Sequence, residues 1–216
     1  MSLDIEAGVK QIEDAGIFLG ADRRYFLLGY SQLVQLLEQG LQPSDTVLDI
    51  GCGCLRGGLW TIRLVDRGCY YGIEPNRAML DAGIKAFLDR ELIDFKQPSF
   101  SHNDDFDFSV FSTSFDFFIA GSIWTHAAPS QIDKMLTSFK ETSTSKAKFL
   151  TTAVVARPWQ QNYSGADWIG KSHKSSVAGV ARYTARWLRE RVEKHHCRIS
   201  FGKKTRNQTW LIIEHK

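Results

Sequence analysis

The sequence predicts an α/β protein: a mostly parallel sheet, wound on both faces by helices and preceded by a helical cap. Three observations predict it. From residue 46 onward, apolar runs of strand length alternate with amphipathic stretches of helical period. Those runs are near-continuously apolar, as strands covered on both faces are, rather than alternating. The first run breaks into a glycine turn, Gly51-Cys52-Gly53, which feeds a helix-like run from Leu59 to Val65.

Each element has its own local reason. Ile5 to about Leu41 reads as helices, with Leu33, Leu36, Leu37 and Leu41 spaced for one apolar stripe. Pro43-Ser44-Asp45 ends this cap, so residues 1–42 precede a core over 43–216 in one domain. Thr46 to Ile50 is the first strand, and Cys69 to Ile73 is the second. Pro75 and Asn76 open a helix carrying Met79, Leu80, Ile84, Phe87 and Leu88 on one face. A third strand is expected near Phe100, and Phe115 to Ala120 is the fourth. After Pro129 a helix buries Ile132, Met135, Leu136 and Phe139, and Lys148 to Val155 follows as the fifth strand. An insertion near 157–180 separates it from a long amphipathic helix, Tyr183 to His195. Cys197 to Phe201 and Thr209 to Ile213 close the chain as a hairpin, making seven strands.

The glycine turn is where chemistry is expected. Val47-Leu48-Asp49-Ile50 is a buried strand that ends beside a carboxylate, and glycines let the chain turn tightly and a ligand approach the backbone. The helix that follows is expected to aim unpaired N–H groups at that ligand. Twenty-three residues beyond Gly51, the run Tyr70-Tyr71-Gly72-Ile73 ends in Glu74. One βαβ crossover fills that interval and brings Glu74 beside the turn, where ribose hydroxyls can donate to it. Asp49 argues against a pyrophosphate, which its charge would repel, and for a ligand carrying an ammonium or sulfonium. The spacing G-x-G-x-x-x-G (Gly51, Gly53, Gly57) also departs from the G-x-G-x-x-G of dinucleotide sites.

An apolar strand, an acid and G-x-G, followed by an acid closing the next strand, resembles the class I methyltransferases that use S-adenosyl-L-methionine. Leu55 stands where many members carry a third glycine. The resemblance covers about residue 46 to the C-terminus and implies the Rossmann-like methyltransferase fold, a seven-stranded, mostly parallel, doubly wound sheet whose last strand is antiparallel. It also assigns residues to the cofactor: Asp49, Gly51, Cys52 and Gly53 around the methionine part, Glu74 on the ribose, and Pro75 and Asn76 near the adenine. At the third strand end, the resemblance implies that Asp105 accepts from the adenine amino group and that the Phe106 N–H meets a ring nitrogen. A solvated loop acid is the equal alternative for Asp105. The segment Gly121-Ser122-Ile123-Trp124-Thr125-His126 is implied to pass beside the transferable methyl.

The chemistry so implied is in-line displacement at the methyl carbon, for which alignment and exclusion of water matter most. An oxygen or nitrogen nucleophile must still lose a proton. His126 is the candidate catalytic base, the alternative being an imidazole that caps a loop carbonyl. Trp124 either offers a ring face to a cation or packs in the core. Ser122 and Thr125 bond either to a ligand or to local backbone. Two other classes remain open: an NAD(P)-dependent oxidoreductase, and a methyltransferase-like protein that binds without catalysis.

Composition narrows the partners. Hydrophobic residues make up 43% and charged residues 24%, ordinary globular usage that argues against disorder. No apolar run is long enough to span a bilayer, and the start lacks the plan of a secretory signal. Cys52, Cys54, Cys69 and Cys197 do not form a disulfide framework, so a reducing cytoplasm is the expected location. The C-x-C pair has no zinc-like partner pair, and no metal is expected. Residues 1–156 hold 14 basic and 20 acidic side chains, whereas 157–216 hold 13 and 4. That basic final quarter suits an anionic partner, although Arg182, Arg186, Arg189, Arg191 and Lys194 read more simply as a solvated helix face. With no added binding module, a small-molecule acceptor is expected rather than nucleic acid. Two regions lie outside the core pattern: Arg23-Arg24-Tyr25-Phe26 with Tyr30, and a segment bearing Trp159, Tyr163, Trp168 and His173. That segment suits a lid over a small-molecule pocket or, equally, a plain surface loop pinned by its tryptophans.

Overall fold

The structure is a computed structural model that describes residues 4–17, 25–172, 175–205 and 207–216. The chain forms two compact units, residues 1–102 and 103–216. Arg23, Arg24 and His173 lie outside the described residues, as do the side chains of Tyr25 and Phe26.

The first unit begins with α1 (Ile5–Asp14), capped by Asp4, whose carboxylate accepts from the Ala7 N–H at 3.0 Å. α2 (Tyr25–Glu38) buries Leu33 and Leu36, and Leu41 is buried just beyond it. Leu37 does not join that stripe: it is 46% exposed, because the helix turns it away from the buried face. β1 (Val47–Ile50) is buried at every position and runs parallel to β2 (Tyr70–Ile73), with Asp49 opposite Gly72. Between them lies α3 (Gly58–Leu64), and β3 (Ser99–Ser101) pairs parallel with β2 on its other side. α4 (Arg77–Phe87) starts at Asn76, whose side chain accepts from the Met79 N–H. A further short helix, α5 (Arg90–Lys96), is capped by Asp89 and buries no side chain. One apolar cluster joins α1 to α3 and α4 through Ile12, Leu59, Phe87 and Cys54.

The second unit pairs β4 (Phe115–Ala120) parallel with β5 (Ser143–Ala156), joined by α6 (Pro129–Thr142). Its core is aromatic. Phe118 meets Phe115 edge-on at 5.4 Å and Phe139 at 4.9 Å, all three fully buried. After β5, residues 157–181 contain no helix or strand among the described residues. The chain then makes β6 (Arg182–Thr184), parallel to the end of β5, and α7 (Ala185–Lys194). The expected helix start at Tyr183 is therefore corrected. Tyr183 and Thr184 belong to a strand, and Thr184 caps the helix by accepting from the Trp187 N–H. β7 (Cys197–Thr205) and β8 (Gln208–His215) form the antiparallel hairpin, with β8 antiparallel to β5. The described residues thus contain eight strands, one more than expected, in a mixed and mostly parallel α/β arrangement with seven α-helices.

The basic face of α7 is largely engaged within the chain. Arg186 pairs with Glu190, Arg191 pairs with Asp133, and Arg189 lies over the Phe201 ring. All four cysteines are free thiols. Among the described residues no helix is long and apolar enough to cross a membrane.

Candidate functional site

In the first unit the structure gathers Asp49, Gly51, Cys52, Gly53, Glu74 and Asn76 around one turn. β1 ends at Ile50, and the next two amides, of Gly51 and Cys52, both donate to the Ile73 carbonyl at 2.8 and 3.0 Å. This ties the turn to the end of β2. Gly51 and Gly53 have φ of 70° and 56°, left-handed values that glycine adopts freely. Leu55 also lies there, at φ 60°, fully buried. The position where a third glycine is common keeps a glycine-like backbone and carries a core side chain instead. The turn is seated closely. A Cβ on Gly83 of α4 would fall inside van der Waals distance of the Cys54 carbonyl group, so only glycine admits that approach.

Glu74 is 4% exposed, and its carboxylate bridges the turn and the next helix. One oxygen accepts from the Gly53 N–H at 3.0 Å, and the other from the Asn76 N–H at 2.8 Å. A carboxylate offers about four acceptor sites, so two bonds leave capacity for hydroxyl donors. Pro75 lies between those anchors, partly buried. Asp49 is 5% exposed and accepts from the Tyr70 hydroxyl at 2.8 Å. Burial pushes its carboxyl up to about 7, with repulsion from Glu74 adding to the rise and the Tyr70 hydrogen bond opposing it. Burial likewise pushes the Cys52 thiol well above its ordinary value and Cys54 up to about 12, so neither is a thiolate at neutral pH.

One expectation for this turn is corrected. α3 does not present its first N–H groups to a ligand as a set. The Leu59 N–H donates to the Leu55 carbonyl at 2.9 Å, and those of Trp60 and Thr61 donate to the Gly57 carbonyl. The loop folds back under the helix and consumes these donors itself.

In the second unit, Asp105 sits in a tight local turn. Its N–H donates to Asn103 Oδ1, and its own Oδ1 accepts from the Asp107 N–H. A side-chain hydrogen bond between Asn103 and its carboxylate, with the one accepted from the Asp107 N–H, holds its carboxyl below the usual range. Phe106 has φ 63°, unusual for a bulky residue. At the end of β4, Gly121 is half-buried in the turn, and the Ser122 N–H donates to Thr152 Oγ1 at 2.7 Å. The Ser122 hydroxyl donates to the Gln208 side chain, and the Thr125 hydroxyl to the Ser122 carbonyl. Trp124 is 0% exposed and meets Phe149 edge-on at 5.9 Å, which makes it a core residue rather than a ring face for a ligand.

His126 is held from the other side by the segment after β5. Its Nδ1 lies 2.8 Å from the Ile169 carbonyl oxygen. A carbonyl only accepts, so Nδ1 carries the proton and Nε2 holds the lone pair. Trp168 stacks on the imidazole at 5.5 Å, and Gly170 abuts it so closely that a Cβ there would collide with Nδ1. Burial pulls the His126 pKa below its ordinary value, and the hydrogen bond to Ile169 partly offsets this. The imidazole is therefore neutral near pH 7, with a basic nitrogen available. Ile169 was not singled out from the sequence, and neither the Tyr70–Asp49 bond nor the stacking of Trp168 on His126 was expected from it. The partners lie 21 to 43 residues apart, and no local pattern marks such pairings. Among the remaining aromatics, Trp159 is 75% exposed, with Arg157 over its ring, and Tyr30 meets Trp60 edge-on.

A carboxylate-flanked glycine turn on a parallel sheet, with an antiparallel hairpin at the end, is the architecture of the Rossmann-like methyltransferase fold. Solved structures share that fold with this chain. It resembles magnesium protoporphyrin IX methyltransferase (ChlM) from Synechocystis PCC 6803, crystallised with bound SAM, at 14% identity and a TM-score of 0.64, over 100% of this chain and 87% of that one. It also resembles DhpI in complex with SAH, at 13% identity and a TM-score of 0.65, over 97% of this chain and 93% of that one. A third is the glycopeptide N-methyltransferase MtfA complexed with sinefungin, at 12% identity and a TM-score of 0.64, over 87% and 94%. No family model matches the sequence, and no curated protein matches it.

Proposed function

We propose that the chain is an S-adenosyl-L-methionine-dependent methyltransferase that methylates an oxygen or nitrogen of a small-molecule acceptor. The observation that carries this reading is the pair of buried carboxylates, Asp49 and Glu74, on either side of a turn with no Cβ at Gly51 and Gly53. Burial, with the Glu74 carboxylate nearby, raises the cost of ionising Asp49, and a cationic ligand rich in hydroxyl donors relieves that cost. A pyrophosphate would increase it, which disfavours an NAD(P)-dependent oxidoreductase. The fold shared with solved methyltransferases supports the same choice.

In this reading S-adenosyl-L-methionine supplies an activated methyl on a sulfonium. Asp49 provides negative charge for the cationic end, Glu74 accepts from ribose hydroxyls, and Asn76 and Pro75 border the base. Gly51, Cys52 and Gly53 allow close approach to the backbone. His126 accepts the acceptor's proton at Nε2, kept neutral by burial and oriented by the Ile169 carbonyl. Purified protein incubated with methyl-labelled S-adenosyl-L-methionine and a metabolite extract tests the proposal. Label on a low-molecular-weight product supports it; label on no product, with the cofactor bound, points to a binding protein.

A further inference from the structure

The segment between β5 and α7 has a task beyond holding His126. It walls an open cleft of about 540 Å³, a size usual for small-molecule sites. The wall is built rather than loose. The Tyr163 N–H donates to the Arg182 carbonyl at 2.8 Å, and the Tyr163 hydroxyl donates to the Asp167 carbonyl at 2.9 Å. Asn162 Oδ1 accepts from the Thr184 N–H at 2.7 Å. Ile169 lines the cleft and binds His126 twice, its N–H donating to the His126 carbonyl and its own carbonyl accepting from Nδ1. Cleft and imidazole are thus parts of one hydrogen-bonded piece.

The polar groups on this wall point to one ligand chemistry. With Oδ1 of Asn162 already bonded, the end of its amide that remains is the NH₂ donor. Gln161 adds a second amide, and Arg182 adds an exposed guanidinium that no described carboxylate pairs with. Among the described residues no acid lines the cleft, and Ile169 and Val180 give it an apolar side. Guanidinium and amide donors beside an apolar patch match an organic anion, since a planar guanidinium binds carboxylate and phosphate through paired hydrogen bonds.

We infer that this cleft binds the methyl acceptor, and that the acceptor is a small organic anion. Its carboxylate or phosphate is held by Arg182 and Asn162, and its apolar body lies against Ile169 and Val180. The role as acceptor site rests on the methyltransferase reading; the anion site itself does not. Phenyl phosphate, benzoate and neutral benzamide serve as probes in ¹⁵N–¹H NMR titrations of the wild type and of Arg182→Gln. S-adenosylhomocysteine calorimetry is run on both proteins. Saturable shifts of the Asn162, Tyr163 and Ile169 amides are expected with one or both anions, and the ratio of the two affinities distinguishes carboxylate from phosphate. Benzamide should leave those amides in place, Arg182→Gln should weaken anion binding at least tenfold, and S-adenosylhomocysteine should bind both proteins equally. Anion shifts elsewhere, equal binding of benzamide, or an unchanged Arg182→Gln would overturn the site. Anion binding without S-adenosylhomocysteine binding would overturn its role in methylation while leaving the anion site.

Discussion

Asp49→Asn should make the protein more stable at alkaline pH and poorer at holding its cofactor. Burial raises the Asp49 carboxyl from 3.8 to about 7. Each pKa unit is worth 1.36 kcal/mol, so the ionised side chain costs the folded state about 4 kcal/mol. This destabilisation is absent below the unfolded value of 3.8, grows as pH rises toward about 7, and is complete above it. Asparagine removes the charge and keeps an oxygen for the Tyr70 hydroxyl. It also buries an NH₂ group, at a cost of about 1–3 kcal/mol. The net gain at pH 8 is then about 1–3 kcal/mol, which for a chain of this length raises the melting temperature by roughly 2–4 °C per kcal/mol. At pH 4 wild-type Asp49 is mostly protonated, and the gain should vanish or reverse. Melting curves of both proteins at pH 4, 6 and 8, with and without S-adenosyl-L-methionine, measure this. A stability difference that ignores pH, or a substitution that destabilises at pH 8, would refute the burial argument.

Three further outcomes follow from the same site. Because a cation favours ionised Asp49, cofactor binding at pH 6 should release close to one proton, read from calorimetry in buffers of different ionisation enthalpy, and release should fade above pH 7. His126→Gln should lower methylation of the acceptor about 10²- to 10⁴-fold with little change in melting temperature, and the wild-type rate should fall as pH drops through a value below 6.5. Gly83→Ala should destabilise by about 1–3 kcal/mol in denaturant titration, since its methyl group meets the Cys54 backbone, which has no rotamer to yield.

Most of the strands were legible because they announce themselves locally. Val47–Ile50 and Phe115–Ala120 are apolar but for one acid each and end at turn residues, and the run beginning at Cys197 alternates apolar with polar residues. β6 was not legible, since Arg-Tyr-Thr is only three residues long and joins directly onto an amphipathic helix of the same composition. α5 was missed because it buries nothing and leaves no apolar stripe. Within the site, the acids and glycines could be read because their spacing is set by one crossover. Their bonding could not. That Glu74 would clamp the Gly53 and Asn76 amides, or that Tyr70 would donate to Asp49, depends on parallel register between strands. Leu55 shows a different limit: its side chain suggests core, and only the backbone reveals that it does a glycine's work in the turn.

The most direct test is an NMR titration of ¹⁵N-labelled protein with S-adenosylhomocysteine and, separately, with NADPH. The nucleoside thioether should shift the amides of Gly51, Gly53 and Asn76, those bound to Glu74 among them, and Glu74→Ala should raise its dissociation constant roughly 10- to 100-fold, the equivalent of about 1–3 kcal/mol. Movement of the same amides by NADPH alone, or indifference of binding to Glu74→Ala, would contradict the account.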